Sequence, residues 1–212
     1  MYITKNRGKK VLVRNIYCVG RNYSKHAKEL GNTKPSEPFF FQKSLAALNT
    51  TNQIILPANR KIEHEVEIVL LINKNGKSKN KEDANSFIGG YSLGVDLTDR
   101  QYQKKLKELR LPWLLSKSFK GSAVVSSFSE KPIEEDFWIT VNNEKKQTGN
   151  YSQMIFSCAE LVHFLSNKIP LMSGDLIFTG TPHGVGSLSF KDEVVVGVGN
   201  VALNKLVVSS EE

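Results

Sequence analysis

Three acids recur at every second position, Glu63, Glu65 and Glu67, within the run Ile62-Glu63-His64-Glu65-Val66-Glu67-Ile68-Val69-Leu70-Leu71-Ile72. A β-strand turns successive side chains to opposite faces, so this spacing gathers the carboxylates on one face and Val66, Ile68, Leu70 and Ile72 on the other. Carboxylates crowded in this way repel one another unless protons or a cation intervene, and oxygen-only ligands suit a hard divalent ion such as Mg²⁺ or Mn²⁺. An edge strand with a solvated acidic face fits the same spacing, and so short a motif does not separate the two readings.

Other residues could add chemistry to that face. In Arg21-Asn22-Tyr23-Ser24-Lys25-His26-Ala27-Lys28-Glu29-Leu30-Gly31, Asn22 as N-cap and Gly31 just past the end bracket a short helix with an apolar stripe of Tyr23, Ala27 and Leu30. His26 and Glu29 are then neighbours at i, i+3, where the carboxylate can hold one imidazole nitrogen and leave the other to take a proton from water. A surface hydrogen bond is the plainer reading of that pair. Gly89 to Asp96 reads as a strand whose glycines permit close backbone approach, with Asp96 at its end. Thr98 and Gln101 form a capping box for a helix starting about Asp99. Its apolar face is Tyr102, Leu106 and Leu109, and Arg100 and Gln103 share a polar face near Asp96. Lys117 stands in the apolar window Leu114 to Phe119; if buried it needs a carboxylate partner or a depressed pKa, and if not it snorkels to the surface. The loop Gly180-Thr181-Pro182-His183-Gly184-Val185-Gly186 offers amides and hydroxyls to an anion. It is neither a P-loop nor a dinucleotide fingerprint.

The elements that must position these residues follow from pattern and punctuation. Asn15 to Val19 is a buried strand ending at Gly20; Lys34 to Pro38 is a turn; Phe39 to Ser44 is a strand; Thr50 to Asn59 is a loop with a short apolar run. A brief helix is expected near Lys81 to Ser86, a hairpin around Asn142-Asn143, and an amphipathic helix over Cys158 to Asn167. In that helix Leu161, Val162, Phe164 and Leu165 face inward and His163 outward. Asp175 to Thr179, Val194 to Val198 and Val201 to Val208 are β-rich. There is no internal repeat.

With 212 residues, 40% of them hydrophobic and 24% charged, the composition is that of a globular chain with a large core, and no linker divides it. Cys18 and Cys158 lie in apolar surroundings without C-x-x-C spacing, which suits small core residues in a reducing compartment. Neither a signal-peptide core nor a membrane span is present, so a cytoplasmic protein is expected. The net charge of +8 invites a nucleic-acid reading, including a metal nuclease, but the lysines are scattered and no aromatic-basic interleaving accompanies them.

Several stretches together resemble the fumarylacetoacetate hydrolase family, and especially its short acylpyruvase-like members. They are Cys18-Val19-Gly20-Arg21-Asn22-Tyr23 with His26 and Glu29, His64-Glu65-Val66-Glu67, Gly89-Gly90-Tyr91 through Asp96-Leu97-Thr98, Leu111-Pro112-Trp113 with Lys117-Ser118-Phe119, and Thr179 through Gly186. The resemblance implies one α+β catalytic domain over residues 1–212, a mixed β-roll with a few short helices, acting as a homodimer. It implies Glu65, Glu67 and Asp96 as ligands of Mg²⁺ or Mn²⁺, and His26 with Glu29 as a water-activating dyad on a lid. Lys117 is implied as the group that stabilises an enolate, with Arg100, Gln103 and Thr181 holding a keto acid. The expected activity is metal-dependent carbon-carbon hydrolysis of 3-acylpyruvates, with oxaloacetate decarboxylation or keto-enol tautomerisation at the same site as the alternative. Three positions depart from the family pattern: Glu63 stands where a second histidine is common, Ser44 where proline is, and Lys191 where glycine is.

Overall fold

The computed structural model describes residues 1–5, 8–29, 31 and 33–211. Its centre is a seven-stranded mixed sheet in the order Phe39–Lys43, Ile16–Gly20, Leu176–Phe178, Val66–Ile72, Ile88–Asp96, Ala123–Val125, Leu48–Asn49. A five-stranded sheet (Glu144–Gly149, Phe137–Val141, Glu193–Val198, Val201–Ser210, Gln53–Leu56) and two small sheets accompany it, so the architecture is mostly sheet with a few short helices, as the α+β β-roll reading expects. Among the described residues no helix is long and apolar enough to cross a membrane.

The acidic strand is central, not an edge. Val66–Ile72 is buried along its whole length between Leu176–Phe178 and Ile88–Asp96. Val66, Ile68, Leu70 and Ile72 join one apolar cluster, while Val69 and Leu71 join a second cluster with Cys18, Val125 and Phe178 on the opposite face. Glu65 and Glu67 share the parity of that second face and so end up buried. The expected single run is interrupted: Ile62–His64 pairs in a separate small sheet with Thr98–Asp99 and Gly186–Ser187, and Glu65 lies at the junction.

Close approach at this junction depends on Gly94, which lies opposite Glu67. A Cβ there would come within 2.6 Å of the Val124 carbonyl and 2.7 Å of both Phe178 and Val69. The Asp96 amide donates to the Glu65 carbonyl (2.9 Å), which fixes the register that brings both carboxylates to one end of the sheet.

Several local expectations change. Asn22 does not cap the helix, which runs Ser24–Glu29. Its side chain instead donates to the carbonyls of Thr179 (2.8 Å) and Phe156 (3.0 Å) and accepts from the Phe156 amide, tying three segments together. Leu30, the third member of the expected stripe, lies outside the described residues. Thr98 does not cap the next helix either: helix Arg100–Glu108 is capped by Asp99, whose side chain accepts from the Tyr102 amide (3.0 Å), which leaves the Thr98 hydroxyl for the site. Leu109, placed on that helix's apolar face, is exposed. The apolar run in the expected loop forms strand Gln53–Leu56, because the chain's last strand supplies a parallel partner. The Asn142-Asn143 hairpin holds, both residues taking the positive φ of a type I′ turn (52° and 65°). Lys191, where the family pattern has glycine, has a φ of 69°.

Candidate active site

Glu65, Glu67 and Asp96 present carboxylate oxygens all within 4.8 Å of one another, and all three residues are buried. Two of them have ammonium partners. Lys117 Nζ donates to Glu65 Oε2 (2.9 Å), Asp96 Oδ2 (2.8 Å) and Thr98 Oγ1 (2.6 Å). Lys43 Nζ lies 2.7 Å from Asp96 Oδ1 and also meets the Leu97 and Lys117 carbonyls and the Ser122 hydroxyl. The third carboxylate, Glu67, has no cationic partner among the described residues; its Oε2 accepts from the Gly180 amide (2.7 Å). Gly180 reaches it in the left-handed region (φ 97°), where a Cβ would press on Asn22 at 2.7 Å.

The electrostatics divide the triad. Burial opposes ionisation of Glu65, yet Lys117 and Arg100 overcome it and hold its pKa well below the usual carboxylate range. Burial raises Glu67, and the neighbouring Asp96 and Glu65 charges raise it further. Burial also works against the charge of Lys117, but Asp96 and Glu65 hold it above the ordinary lysine value. A group such as Glu67 calls for a proton or a cation beside it. Three carboxylates with no nitrogen or sulfur donor among them suit a hard divalent ion, so the donor set fits Mg²⁺ or Mn²⁺.

Arg100, at the start of its helix, spans the acidic junction. Its Nε donates to Glu63 Oε2 (2.7 Å), Nη1 to Gln103 Oε1 (2.8 Å), and Nη2 bonds Glu65. Glu63 therefore does not join the triad; it holds Arg100. Gln103 is buried, and its amide NH₂ makes no bond among the described residues. The Thr181 hydroxyl is committed within the protein, donating to the Val66 carbonyl (2.8 Å) and accepting from Gln147 Nε2 (2.9 Å). His64 points the other way, with Nδ1 against Gln147 Oε1 (3.0 Å) and its pKa lowered first of all by burial.

His26 and Glu29 meet as their spacing expects: Nδ1 lies 3.0 Å from Glu29 Oε2. A carboxylate can only accept, so Nδ1 carries the proton, and in the neutral ring Nε2 is left with a lone pair. The other carboxylate oxygen, Oε1, accepts from the Gly184 amide (3.1 Å), which anchors the short helix to the 180s loop. His26 is buried, and with Glu65, Glu67, Arg100, Gln103, Lys117 and Thr181 it lines one pocket. Nearly every residue singled out from the sequence thus faces a single space; the Asp96 carboxylate lies just beneath it, and Glu29 stands behind His26.

Residues 15–208 match the family described as fumarylacetoacetate (FAA) hydrolase C-terminal. The chain belongs to the fumarylacetoacetate hydrolase family. Among its relatives in that family is the mitochondrial oxaloacetate tautomerase FAHD1 of Mus musculus, 40% identical over 206 residues, covering 94% of this chain and 93% of the relative. The mitochondrial oxaloacetate decarboxylase of Dictyostelium discoideum is 40% identical over 193 residues, covering 87% and 88%. The fumarylpyruvate hydrolase of Pseudomonas aeruginosa, solved with Mn²⁺ and pyruvate, superposes with a TM-score of 0.94 at 32% identity, covering 100% of this chain and 96% of that one. Members of this fumarylacetoacetate hydrolase family are enzymes, and the chain shares their fold from end to end.

Three cations of the site were not singled out by the sequence reading: Lys43 beneath the pocket, and Lys107 and Arg21 on its lining. Lys43 alternates with Phe41 and Phe39 in an aromatic strand, and a lysine in register with apolar neighbours is the signal that marks it as buried. Lys107 lies at i+7 from Arg100 and i+4 from Gln103, so the polar stripe on that helix extends one turn further than Gln103. Arg21 follows Gly20 with a φ of 62°, a conformation that no sequence pattern announces.

Proposed function

We propose that this chain is a divalent-metal-dependent enzyme acting on oxaloacetate through its enolate, with keto-enol tautomerisation or decarboxylation as its principal reaction. The observation that carries the reading is Glu67: a buried carboxylate without a cation of its own, beside two that have ammonium partners, at the floor of a pocket whose wall holds His26. Glu65, Glu67 and Asp96 would hold Mg²⁺ or Mn²⁺, and the ion when bound supplies the positive charge that polarises the 2-keto acid end.

The remaining chemistry falls to the chain's own side chains. Lys117, fixed by three acceptors, places a permanent positive charge near the oxygen on which enolate charge develops, and a charge already in position needs no reorganisation during reaction. Gln103 offers its free NH₂ to the substrate carboxylate, and Arg100 orients Gln103. Thr181 forms the wall beside them. His26, held through Nδ1 by Glu29, uses Nε2 to take a proton from C3 of the keto form or to return one to the enol, and the enol oxygen gains or loses the balancing proton. In decarboxylation the C3–C4 bond breaks, its electron pair becomes the enolate, carbon dioxide leaves and C3 is protonated.

Relatives named for oxaloacetate favour this reading over the 3-acylpyruvate cleavage that the resemblance put first. Cleavage stands second, supported by the likeness to fumarylpyruvate hydrolase; there His26 would deprotonate a water for attack on the distal carbonyl. We take residues 1–212 as one catalytic domain. The exposed Leu109, Leu111, Leu114 and Leu115, close in sequence, support a homodimer contact; sedimentation equilibrium checks it. Both named oxaloacetate relatives are mitochondrial by name, which argues against carrying the cytoplasmic expectation into this reading.

The decisive assay offers enol-oxaloacetate, keto-oxaloacetate and acetylpyruvate to the protein with Mg²⁺ or Mn²⁺ and again with a chelator. Metal-dependent turnover of oxaloacetate exceeding acetylpyruvate cleavage is expected. The opposite order overturns this reading in favour of the hydrolase, and turnover that survives chelation overturns both.

A further inference from the structure

The pocket lining holds four cationic side chains, Arg21, Arg100, Lys107 and Lys117, and two acids, Glu65 and Glu67. Arg100 and Lys117 are matched by Glu63, Glu65 and Asp96. Two further cations on the same lining, Arg21 and Lys107, have no ion-pair partner among the described residues. They come from different elements, Arg21 from the turn after strand Ile16–Gly20 and Lys107 from the last turn of helix Arg100–Glu108.

Lys107 is half-buried, with Nζ 4.7 Å from the centroid of the Trp113 ring, so its stem packs while its charge faces the pocket. Burial, then Arg100 and Arg21, pull its pKa down to about 8, with Glu65 opposing them. Arg21 is in the left-handed region, uncommon for a residue other than glycine. Such backbone strain persists where surrounding structure enforces it, and it clusters at ligand clamps.

We propose that Arg21 and Lys107 form a subsite for a second, distal carboxylate, so that the pocket selects short 2-keto dicarboxylic acids over keto acids with an apolar tail. This rests on the keto-acid reading and deepens it. One carboxylate and the keto oxygen occupy the floor beside Glu67 and Gln103; the far carboxylate then meets two cations that otherwise remain unpaired in a partly desolvated wall. A methyl group at that position would leave both without a partner, and discrimination by an unsatisfied charged group is strong.

The test uses two inert 2-hydroxy acids that chelate alike and differ only at the far end: malate, with a carboxylate, and 2-hydroxybutanoate, with a methyl. Their affinities are measured by titration calorimetry on the Mn²⁺-loaded protein. Malate is expected to bind the unaltered protein about tenfold or more tighter than 2-hydroxybutanoate, the scale of one charge-assisted hydrogen bond. Lys107→Met keeps the stem on Trp113, and Arg21→Asn keeps a residue that tolerates positive φ. Each should weaken malate about tenfold while moving 2-hydroxybutanoate by less than about twofold, and Lys107→Arg should restore most of the preference. Equal losses for both acids, or no preference in the unaltered protein, overturn the subsite. A preserved malate preference without oxaloacetate turnover would instead overturn the proposed reaction and leave the subsite standing.

Discussion

The floor and the rim of this pocket are built on different principles. The floor residues Glu65, Glu67, Asp96, Lys43 and Lys117 are buried, and most project from or beside central strands whose register is set by backbone pairing. Each of Glu65, Asp96, Lys43 and Lys117 has at least two polar partners. The rim residues Arg21, His26, Glu29 and Lys107 come from a strained turn, a six-residue helix and the end of a nine-residue helix. His26 and Glu29 hold each other, with one amide from the 180s loop as the tether. Charge that must stay fixed during reaction is placed where the fold is over-determined. On the proposed reading, the groups that would clamp and protonate a substrate sit on short elements with few polar contacts, and segments with few contacts open at low free-energy cost.

The sharpest way to break this contrast is at Glu67. In the metal-free protein burial and two neighbouring carboxylates oppose its ionised form, so Glu67→Gln should raise the melting temperature without metal and remove the rise that Mg²⁺ or Mn²⁺ gives the unaltered protein. Turnover at limiting metal should fall by about 10³, the worth of several kcal/mol of lost charge stabilisation. Full activity of this variant would remove Glu67 from the metal site.

Lys117→Met tests the floor as structure. It strips the shared ammonium from Glu65 and Asp96, and leaving a buried charge unpaired costs about 3–5 kcal/mol. Urea unfolding of the metal-free protein measures that loss, which added metal should partly recover. A change below about 1 kcal/mol would mean that Lys43 and Arg100 suffice to neutralise the floor.

Changes at the rim should affect rate and leave stability nearly unchanged. His26→Ala is expected to lower turnover of the favoured substrate by about 10²–10⁴ with metal affinity retained. Glu29→Gln should depress acetylpyruvate cleavage, which needs an activated water, more than oxaloacetate decarboxylation, which does not. Equal losses on both substrates would show that the dyad shapes the pocket without activating water.

The smallest effect is a pH dependence confined to the rim. Lys107 faces Arg100, Arg21, Glu65, Lys117 and the Trp113 ring, and its pKa lies at about 8. It is charged below that value and neutral above it, so the preference for malate over 2-hydroxybutanoate should be full at lower pH and shrink severalfold as pH rises through about 8, with the bound anion pushing the midpoint upward. Because both acids chelate alike, titration at the floor cancels from the ratio. Lys107→Met should flatten the profile.

The sequence by itself determined much of this protein. Period-two alternation from Ile62 to Ile72 separated the acids from the aliphatic face, helical spacing joined His26 to Glu29 and Arg100 to Gln103, and paired asparagines specified a hairpin. These are local rules, enforced within a few residues by backbone geometry. Tertiary structure decided what local rules do not reach. Asn22 and Thr98 looked like helix caps, but a capping side chain is free to serve any nearby orphan group, and here the Thr179 carbonyl and the Lys117 ammonium lay closer to hand. Whether the acidic face lay open to water or was buried depended on Leu176–Phe178 and Ile88–Asp96 covering both edges of its strand. The pairing of Lys43 with Asp96 and of Lys117 with Glu65 spans more than 50 residues in each case, and the partners outweigh burial at Glu65 and Lys117 but not at Lys43, whose pKa burial lowers. Charge interactions act through space and burial depends on the whole fold, so the same acids that a strand pattern locates acquire their chemistry only when the sheet has closed around them.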